Sequence, residues 1–306
     1  MDAVTTICLP TAAAVALLGQ PPGIDVLVWD GVGDPPSGLE DVALLVGGYA
    51  VAPLPAQALA RMPKLAAVQL LSAGVETWLG HVPDGVLLCN GRGVHTASTA
   101  ELAVGGMLSW LRELPRFAAD QAAHRWAPAR TRGLAGTRVL IVGAGDIGRR
   151  IAAAVVVFDA IPTLVASHAR ESVHGVAELA ELLPRHDIVV IAVPRTPQTE
   201  QLVDAEFLAA MPDGALLVNI ARGPIVDTAA LLAELRARRL SAFLDVTDPE
   251  PLPSEHLLWE APNLVLTPHV GGGTTGWERR AYQLVREQVL RLHHGQALYN
   301  VVVSGY

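Results

Sequence analysis

Three short stretches place an arginine, an acid and a histidine just past the ends of apolar runs. They are Arg222 in Asn219-Ile-Ala-Arg-Gly223, Glu250 in Leu244-Asp-Val-Thr-Asp-Pro-Glu-Pro-Leu252, and His269 in Thr267-Pro-His-Val-Gly-Gly272. The chemistry these three could share is reduction of a carbonyl. Arginine offers a bidentate fork to a 2-oxo acid, and a histidine paired with an acid can donate a proton as a hydride arrives. Singly, an Arg or Glu is more often half of a surface ion pair, and a His more often a hydrogen-bonded core residue. What reverses that weighing is a dinucleotide fingerprint in the same chain. Val139-Leu-Ile-Val142 runs straight into Gly143, Gly145 and Gly148 in Gly-x-Gly-x-x-Gly spacing, and an Ala-rich apolar run follows. In a strand–turn–helix context Gly143 makes the sharp turn, Gly145 admits the pyrophosphate to the backbone, and Gly148 lets the helix pack on its strand. The helix N-terminus, with Asp146 and Ile147 in its first turn, offers free N–H groups to the anion.

These residues need a parallel sheet to carry them. Between 136 and 276 short apolar strands alternate with helices: strands at 138–142, 163–166, 187–193, 215–220, 241–245 and 264–267, helices at 147–158, 176–183, 204–211 and 228–238. Six such strands predict a Rossmann-type doubly wound α/β sheet. Residues 1–97 carry five further candidate strands, at 6–9, 25–29, 43–46, 66–70 and 86–90, separated by Pro/Gly-rich turns. They predict a smaller flavodoxin-like α/β domain. An amphipathic helix at 277–294 and a strand-like tail at 300–303 follow a completed sheet and are expected to return to that smaller domain. The predicted division is therefore 1–97 plus 277–306, with 98–276 inserted. Ser98-Thr-Ala-Glu101 has the capping-box pattern and predicts a helix to about Leu114, whose Leu102, Gly105, Gly106, Ser109 and Trp110 would pack on another helix, either within the subunit or across a dimer. Residues 117–132 read as a loop containing Trp126.

Composition narrows the partners. The 306-residue chain is 51% hydrophobic and 17% charged, with a net charge of −8, which argues against nucleic acid and anionic membrane. No apolar run approaches the ~18 residues of a membrane span. An N-terminus of Met1-Asp2 without Lys or Arg, broken by Pro10, does not read as a secretory leader. Cys8 and Cys89 lie in apolar runs without metal-ligand spacing, so no metal site is expected, and buried reduced thiols point to the cytoplasm. Lys64 is the single lysine, and Schiff-base chemistry would rest on it alone.

In order and spacing, Gly-Ala-Gly-Asp-Ile-Gly, Asn-Ile-Ala-Arg-Gly, Leu-Asp-Val-Thr-Asp-Pro-Glu-Pro-Leu and Thr-Pro-His-Val-Gly-Gly resemble the D-isomer-specific 2-hydroxyacid dehydrogenases. The resemblance extends to Ser72-Ala-Gly-Val-Glu76 and to the stretch 90–101. It implies a substrate domain with an inserted coenzyme domain, a homodimer, and hydride transfer between NAD(P)H and a small 2-oxo acid. It implies that His269 is the acid/base, Glu250 its partner, and Arg222 the substrate anchor. Ala73, Gly74, Val75 and Glu76 would hold the substrate carboxylate, with Glu76 standing where aspartate is common. Thr99, Ile220, Ala221, Asp245 and Gly271 would contact the cofactor, Asp245 at the nicotinamide carboxamide. Glu250 separates the chain from the formate dehydrogenases, and Ala73 from the phosphite dehydrogenases, which carry a lysine there. The Asp-Val-Thr-Asp-Pro-Glu-Pro-Leu-Pro run is most similar to the glyoxylate/hydroxypyruvate reductase branch. Related co-repressors use the same residues to sense cofactor, so a non-catalytic binding protein is the alternative.

The residues themselves speak on cofactor choice. NAD-specific sites of this fold place an acid about 20 residues past the glycines, on the ribose 2′-hydroxyl. Here that strand ends in Ala166-Ser167-His168-Ala-Arg170 with no acid. A hydroxyl and a guanidinium suit a 2′-phosphate, so the sequence favours NADP(H), anchored by Arg170 with Ser167 and His168, over NAD(H).

Overall fold

The structure, a computed structural model, describes residues 4–49 and 52–303; Met1 and Asp2, on which the reading of the N-terminus rests, lie outside the described residues. In chain order the first elements are β1 (Thr5–Leu9), α1 (Ala12–Leu18), β2 (Ile24–Val28), β3 (Val42–Val46), α2 (Ala56–Leu59), β4 (Ala67–Gln69) and β5 (Leu87–Cys89). Next come α3 (Thr96–Leu111), α4 (Leu114–Ala122), β6 (Arg138–Val142), α5 (Asp146–Val156), β7 (Ile161–Ala166), β8 (His174–Gly175), α6 (Leu179–Leu182) and β9 (Ile188–Ile191). The last are α7 (Ala205–Ala210), β10 (Leu216–Asn219), α8 (Thr228–Arg236), β11 (Ser241–Leu244), β12 (Leu264–Leu266) and α9 (Trp277–His293). The chain forms two compact units, Met1–His95 with Thr275–Tyr306, and Thr96–Thr274.

The first unit is a parallel sheet in the order β2-β1-β3-β4-β5. Strand alternation splits its apolar residues between two faces. Ile7, Leu9, Leu44 and Val46 pack with Ala14 and Leu18 of α1 and with Ala281, Tyr282, Val285 and Val289 of α9. Cys8, Leu45, Val68 and Leu88 pack with Leu59, Met62, Val75 and Trp78 on the other face. A buried polar clasp fastens α9 and the tail to β4: Gln288 Nε2 donates to Gln69 Oε1 (2.7 Å) and to the Tyr299 carbonyl (2.9 Å), and Tyr299 N donates to Gln288 Oε1 (2.8 Å).

The second unit is a parallel sheet in the order β12-β11-β10-β9-β6-β7-β8, the doubly wound arrangement with its reversal between β6 and β9. In β6 Val139, Leu140, Ile141 and Val142 are all at most 2% exposed. At roughly 1.5–3 kcal/mol for each such side chain, burial holds firmly the strand from which the glycine turn springs. Helix α3 packs on α5 through Ala100, Ala103, Val104 and Met107 against Ile151, Ala152 and Val155.

Several expectations change. The sheet has seven strands; β8 was overlooked because its two residues, His174 and Gly175, carry no apolar pattern and pair only with Val165 and Ala166. Helix α3 starts at Thr96, so Ser98 and Glu101 lie inside it and form no capping box; burial of Ser98, Thr99 and Ala100 draws that first turn into the helix. Of the residues expected on its packing face only Gly106 is fully buried, and it meets a strand: a Cβ there would stand 2.6 Å from the Phe243 ring. The stretch read as loop begins as helix α4, started by Glu113 in the left-handed region (φ 53) and by Pro115 in its first turn. Residues 176–183 form α6 flanked by 3₁₀ turns rather than one helix. The tail makes one antiparallel bridge, Val301 to Cys89, instead of a strand. No helix among the described residues is long and apolar enough to cross a membrane.

Candidate active site

The three glycines answer to three different constraints. Gly143 has φ 123, and a Cβ on it would stand 2.3 Å from the Ala192 carbonyl oxygen at the end of β9. A Cβ on Gly148 would stand 1.8 Å from the Gly143 carbonyl oxygen, so α5 closes directly on the turn. Gly145, the N-cap of α5, is different: its φ of −80 suits any residue and a Cβ would meet nothing within 4 Å. Nothing in the protein requires glycine there, which fits a ligand coming against the backbone. With the N-terminus of the eleven-residue α5 beside it, the cradle fits a dinucleotide pyrophosphate.

At the end of β7, Ser167, His168 and Arg170 are exposed. Ser167 Oγ lies 3.1 Å from His168 Nδ1. Arg170 is fixed by its backbone, which exchanges two 2.9 Å hydrogen bonds with Val173. Among the described residues its guanidinium has no partner.

The Arg, Glu and His clusters are drawn together by backbone contact and by one buried carboxylate. Asn219, 1% exposed at the end of β10, accepts at Oδ1 from Ala221 N (3.0 Å) and donates from Nδ2 to the Arg222 carbonyl (3.0 Å), a turn that sets Arg222. Ile220 and Ala221 are buried before it. Arg222 is half-buried and donates from Nη1 to the Ala221 carbonyl at 2.7 Å. The next residue, Gly223, lies directly against the backbone of Thr247, three residues before Glu250. Asp245, 2% exposed, accepts from Thr267 Oγ1 (2.6 Å) and Val270 N (2.9 Å) at Oδ1, and from Gly271 N (2.9 Å) at Oδ2. Its carbonyl accepts from His269 N at 2.8 Å. These bonds pin the loop on both sides of His269, which holds a left-handed φ of 52. Gly271 also fits closely beside Thr99, whose Cγ2 would be 3.4 Å from a Cβ there.

His269 Nδ1 lies 2.5 Å from Glu250 Oε1. A carboxylate only accepts, so Nδ1 carries the hydrogen and Nε2 is left to exchange a proton. The two side chains are 45% and 39% exposed. Solvent screens such a pair, so its contribution is chiefly to aim the ring. A cavity of about 540 Å³ adjoins them, with Leu252 and Trp259 among its walls.

In the other unit, the turn after β4 is held from β5: Gly91 N donates to the Ser72 carbonyl (2.6 Å) and Asn90 Nδ2 to the Ala73 carbonyl (3.2 Å). Val75 is fully buried, and Glu76 is half-buried. The amides of Gly74 and Val75 donate to none of the described residues.

Sequence reasoning missed what Asn219, Gly223 and Thr267 do, although all three lie in the motifs it quoted. An Asn at a strand end followed by a turn was the available signal for the first. The bracing of the His269 loop by Asp245 was likewise not read from the sequence.

A family profile described as "D-isomer specific 2-hydroxyacid dehydrogenase, NAD binding domain" matches residues 104–271. D-3-phosphoglycerate dehydrogenase of Methanocaldococcus jannaschii is 31% identical over 229 residues, 71% of this chain and 43% of its own length. Glyoxylate/hydroxypyruvate reductase A of Klebsiella pneumoniae is 34% identical over 203 residues, 64% of each. Both matches thus span less than two thirds of the relative's own length. A D-isomer specific 2-hydroxyacid dehydrogenase from Xanthobacter autotrophicus Py2, solved in complex with NADPH and MES, superposes with a TM-score of 0.85 at 30% identity, covering 98% of both chains. The chain belongs to the D-isomer specific 2-hydroxyacid dehydrogenase family.

Proposed function

We propose that the protein is an NADPH-dependent reductase of 2-oxo acids, glyoxylate and hydroxypyruvate being the small members of its substrate class. The observation that carries this reading is the Glu250–His269 couple, aimed by the Asp245 strut at the same carboxyl edge of the sheet as the Gly143–Gly148 cradle. A nicotinamide cofactor held at the Gly143–Gly148 cradle would supply the hydride for the carbonyl carbon. Arg222 binds the substrate through its carboxylate and carbonyl, and the amides of the Ala73–Glu76 turn take the carboxylate. His269 Nε2 gives its proton to the carbonyl oxygen, while Glu250 holds Nδ1–H and stabilises the ring before transfer. Electrons and protons balance: a 2-oxo acid, a hydride and a proton become a 2-hydroxy acid.

The preference for NADPH over NADH rests on Arg170, whose guanidinium has no partner among the described residues, and on the absence of an acid at the end of β7. The Xanthobacter relative, solved with NADPH, supports it. The unit Thr96–Thr274 is read as the coenzyme domain and as the seat of a homodimer contact, and the cytoplasm as the compartment in which Cys8 and Cys89 stay reduced. The test is consumption of NADPH in the presence of glyoxylate, hydroxypyruvate and larger 2-oxo acids. Tight NADPH binding with no turnover of any would replace this reading by a cofactor-sensing one.

A further inference from the structure

A cavity of about 880 Å³ in the first unit is lined by none of the residues assigned to the reaction so far. It opens where the chain leaves β1, β2 and β3, the reversal point of a sheet ordered β2-β1-β3, which is where open α/β sheets take ligands. Its lining is mainly apolar and aromatic. Trp78 and Tyr282, each 4% exposed, close its floor, and Trp29, Tyr49 and Trp277 stand around it. Tyr49 and Trp277 lie with ring centroids 4.4 Å apart at 39°, so two aromatic surfaces already meet at its wall. Leu54 also lines it, so near the β2 end that a Cβ on Gly31 would stand 2.3 Å from Leu54 Cδ2.

Two details connect this space to the substrate. First, Leu71 and Trp78 line it while bracketing the turn whose Gly74 and Val75 amides are unused, and Trp78 N donates to the Val75 carbonyl at 2.8 Å. The cavity therefore begins beside the proposed carboxylate receptor. Second, the Tyr282 hydroxyl, on a side chain almost wholly buried at the cavity wall, donates to none of the described residues. Burial pushes that phenol up to about 12, so it stays a neutral O–H donor at every working pH.

We propose that this cavity receives the side chain of an aryl 2-oxo acid, making such acids better substrates than glyoxylate. The inference rests on the reading of the chain as a 2-oxo acid reductase and specifies its substrate. Glyoxylate has no side chain and would leave some hundreds of Å³ of aromatic-lined space to water. A flat ring fills it, stacking at an offset or edge to face on Trp29, Tyr49 and Trp277. The volume lies within the roughly 300–1,000 Å³ of small-molecule sites. An acceptor on the far side of the ring would meet the Tyr282 hydroxyl.

The experiment compares kcat/KM for phenylpyruvate and glyoxylate, with NADPH, in the native protein and in Ala13→Phe. Ala13 lines the cavity from the exposed side of α1, and the variant adds a ring without opening the core. The native ratio should favour phenylpyruvate at least tenfold, and the variant should lower that ratio at least tenfold. A second measurement does not depend on the variant folding: phenyllactate should quench tryptophan fluorescence of the native holoprotein, and glycolate should not. A native preference for glyoxylate, an unchanged ratio in a folded Ala13→Phe, or equal quenching by the two hydroxy acids overturns the inference and leaves the reductase reading standing. Failure to turn over any 2-oxo acid removes both.

Discussion

The carbonyl oxygen of Thr247 stands where a side chain on Gly223 would have to be, 1.8 Å from the position of a Cβ. Two loops that carry an arginine and a glutamate are thereby joined backbone to backbone, with no side chain free to yield. Gly223→Ala must push them apart. Overpacking of a tight site costs roughly 1–3 kcal/mol, and a displacement of about 1 Å can cost on the order of 10²-fold in rate. The variant should bind NADPH nearly as the native protein does, melt at lower temperature and lose most turnover. Native-like kinetics would show that the two loops do not need this contact.

His269→Gln should lower kcat by roughly the 10²- to 10⁴-fold that general acid catalysis supplies. Because the Gly143–Gly148 cradle is untouched, the Kd for NADPH, read by fluorescence titration, should change little. Glu250→Gln keeps a hydrogen-bond acceptor beside Nδ1 but removes the charge, so its loss should be smaller. Turnover surviving in His269→Gln would take the proton transfer elsewhere.

Arg170→Ala should reduce the ratio of kcat/KM for NADPH over NADH, chiefly by raising KM for NADPH. The guanidinium has no partner among the described residues to release, so folding should be indifferent to the change. An unchanged ratio, or a native preference for NADH, would place the 2′-phosphate contacts elsewhere.

His186 is 1% exposed, with Nδ1 at 2.7 Å from the Leu182 carbonyl and Nε2 at 2.9 Å from Thr163 Oγ1. Burial, first, and then the positive charge of Arg138 push its pKa below the ordinary value. The folded ring therefore stays neutral to a lower pH than the unfolded one. As pH falls through about 6.5 toward the folded value, the unfolded chain binds more protons and stability is lost, by at most about 1.4 kcal/mol per pH unit for one proton. Urea unfolding at successive pH values should show the native protein losing more stability across this window than His186→Gln. Equal losses would mean that His186 does not titrate on unfolding.

Periodicity made most of this fold legible. The strand at Arg138–Val142 was placed residue for residue, because four buried apolar residues and a glycine turn leave little latitude. The elements that escaped are those built on tertiary contact. His174-Gly175 pairs without an apolar run. Leu114–Ala122 is a mostly exposed helix whose only large apolar side chains are Leu114 and Phe117. Ser98 and Glu101 match a cap locally, yet packing buries that turn inside a helix. In the candidate site, residue types singled out Arg222, Glu250 and His269, but not that Asp245 holds the His269 loop with its carboxylate, nor that Gly223 is demanded by Thr247. Such requirements are set by distances between segments far apart in sequence.

The clasp of Gln288 on Gln69 joins the end of the chain to a sheet whose strands lie near its beginning. During synthesis the sheet residues Ile7, Leu9, Leu44 and Val46 leave the ribosome long before Ala281, Val285 and Val289, which cover them. The 179 residues of Thr96–Thr274 come between, an interval of roughly 9 to 36 s at about 5–20 residues per second. For that time this face of the nascent sheet has α1 but not α9 to cover it. The unit that leaves the ribosome earlier is thus the one completed later, its exposed apolar face open to association in the meantime.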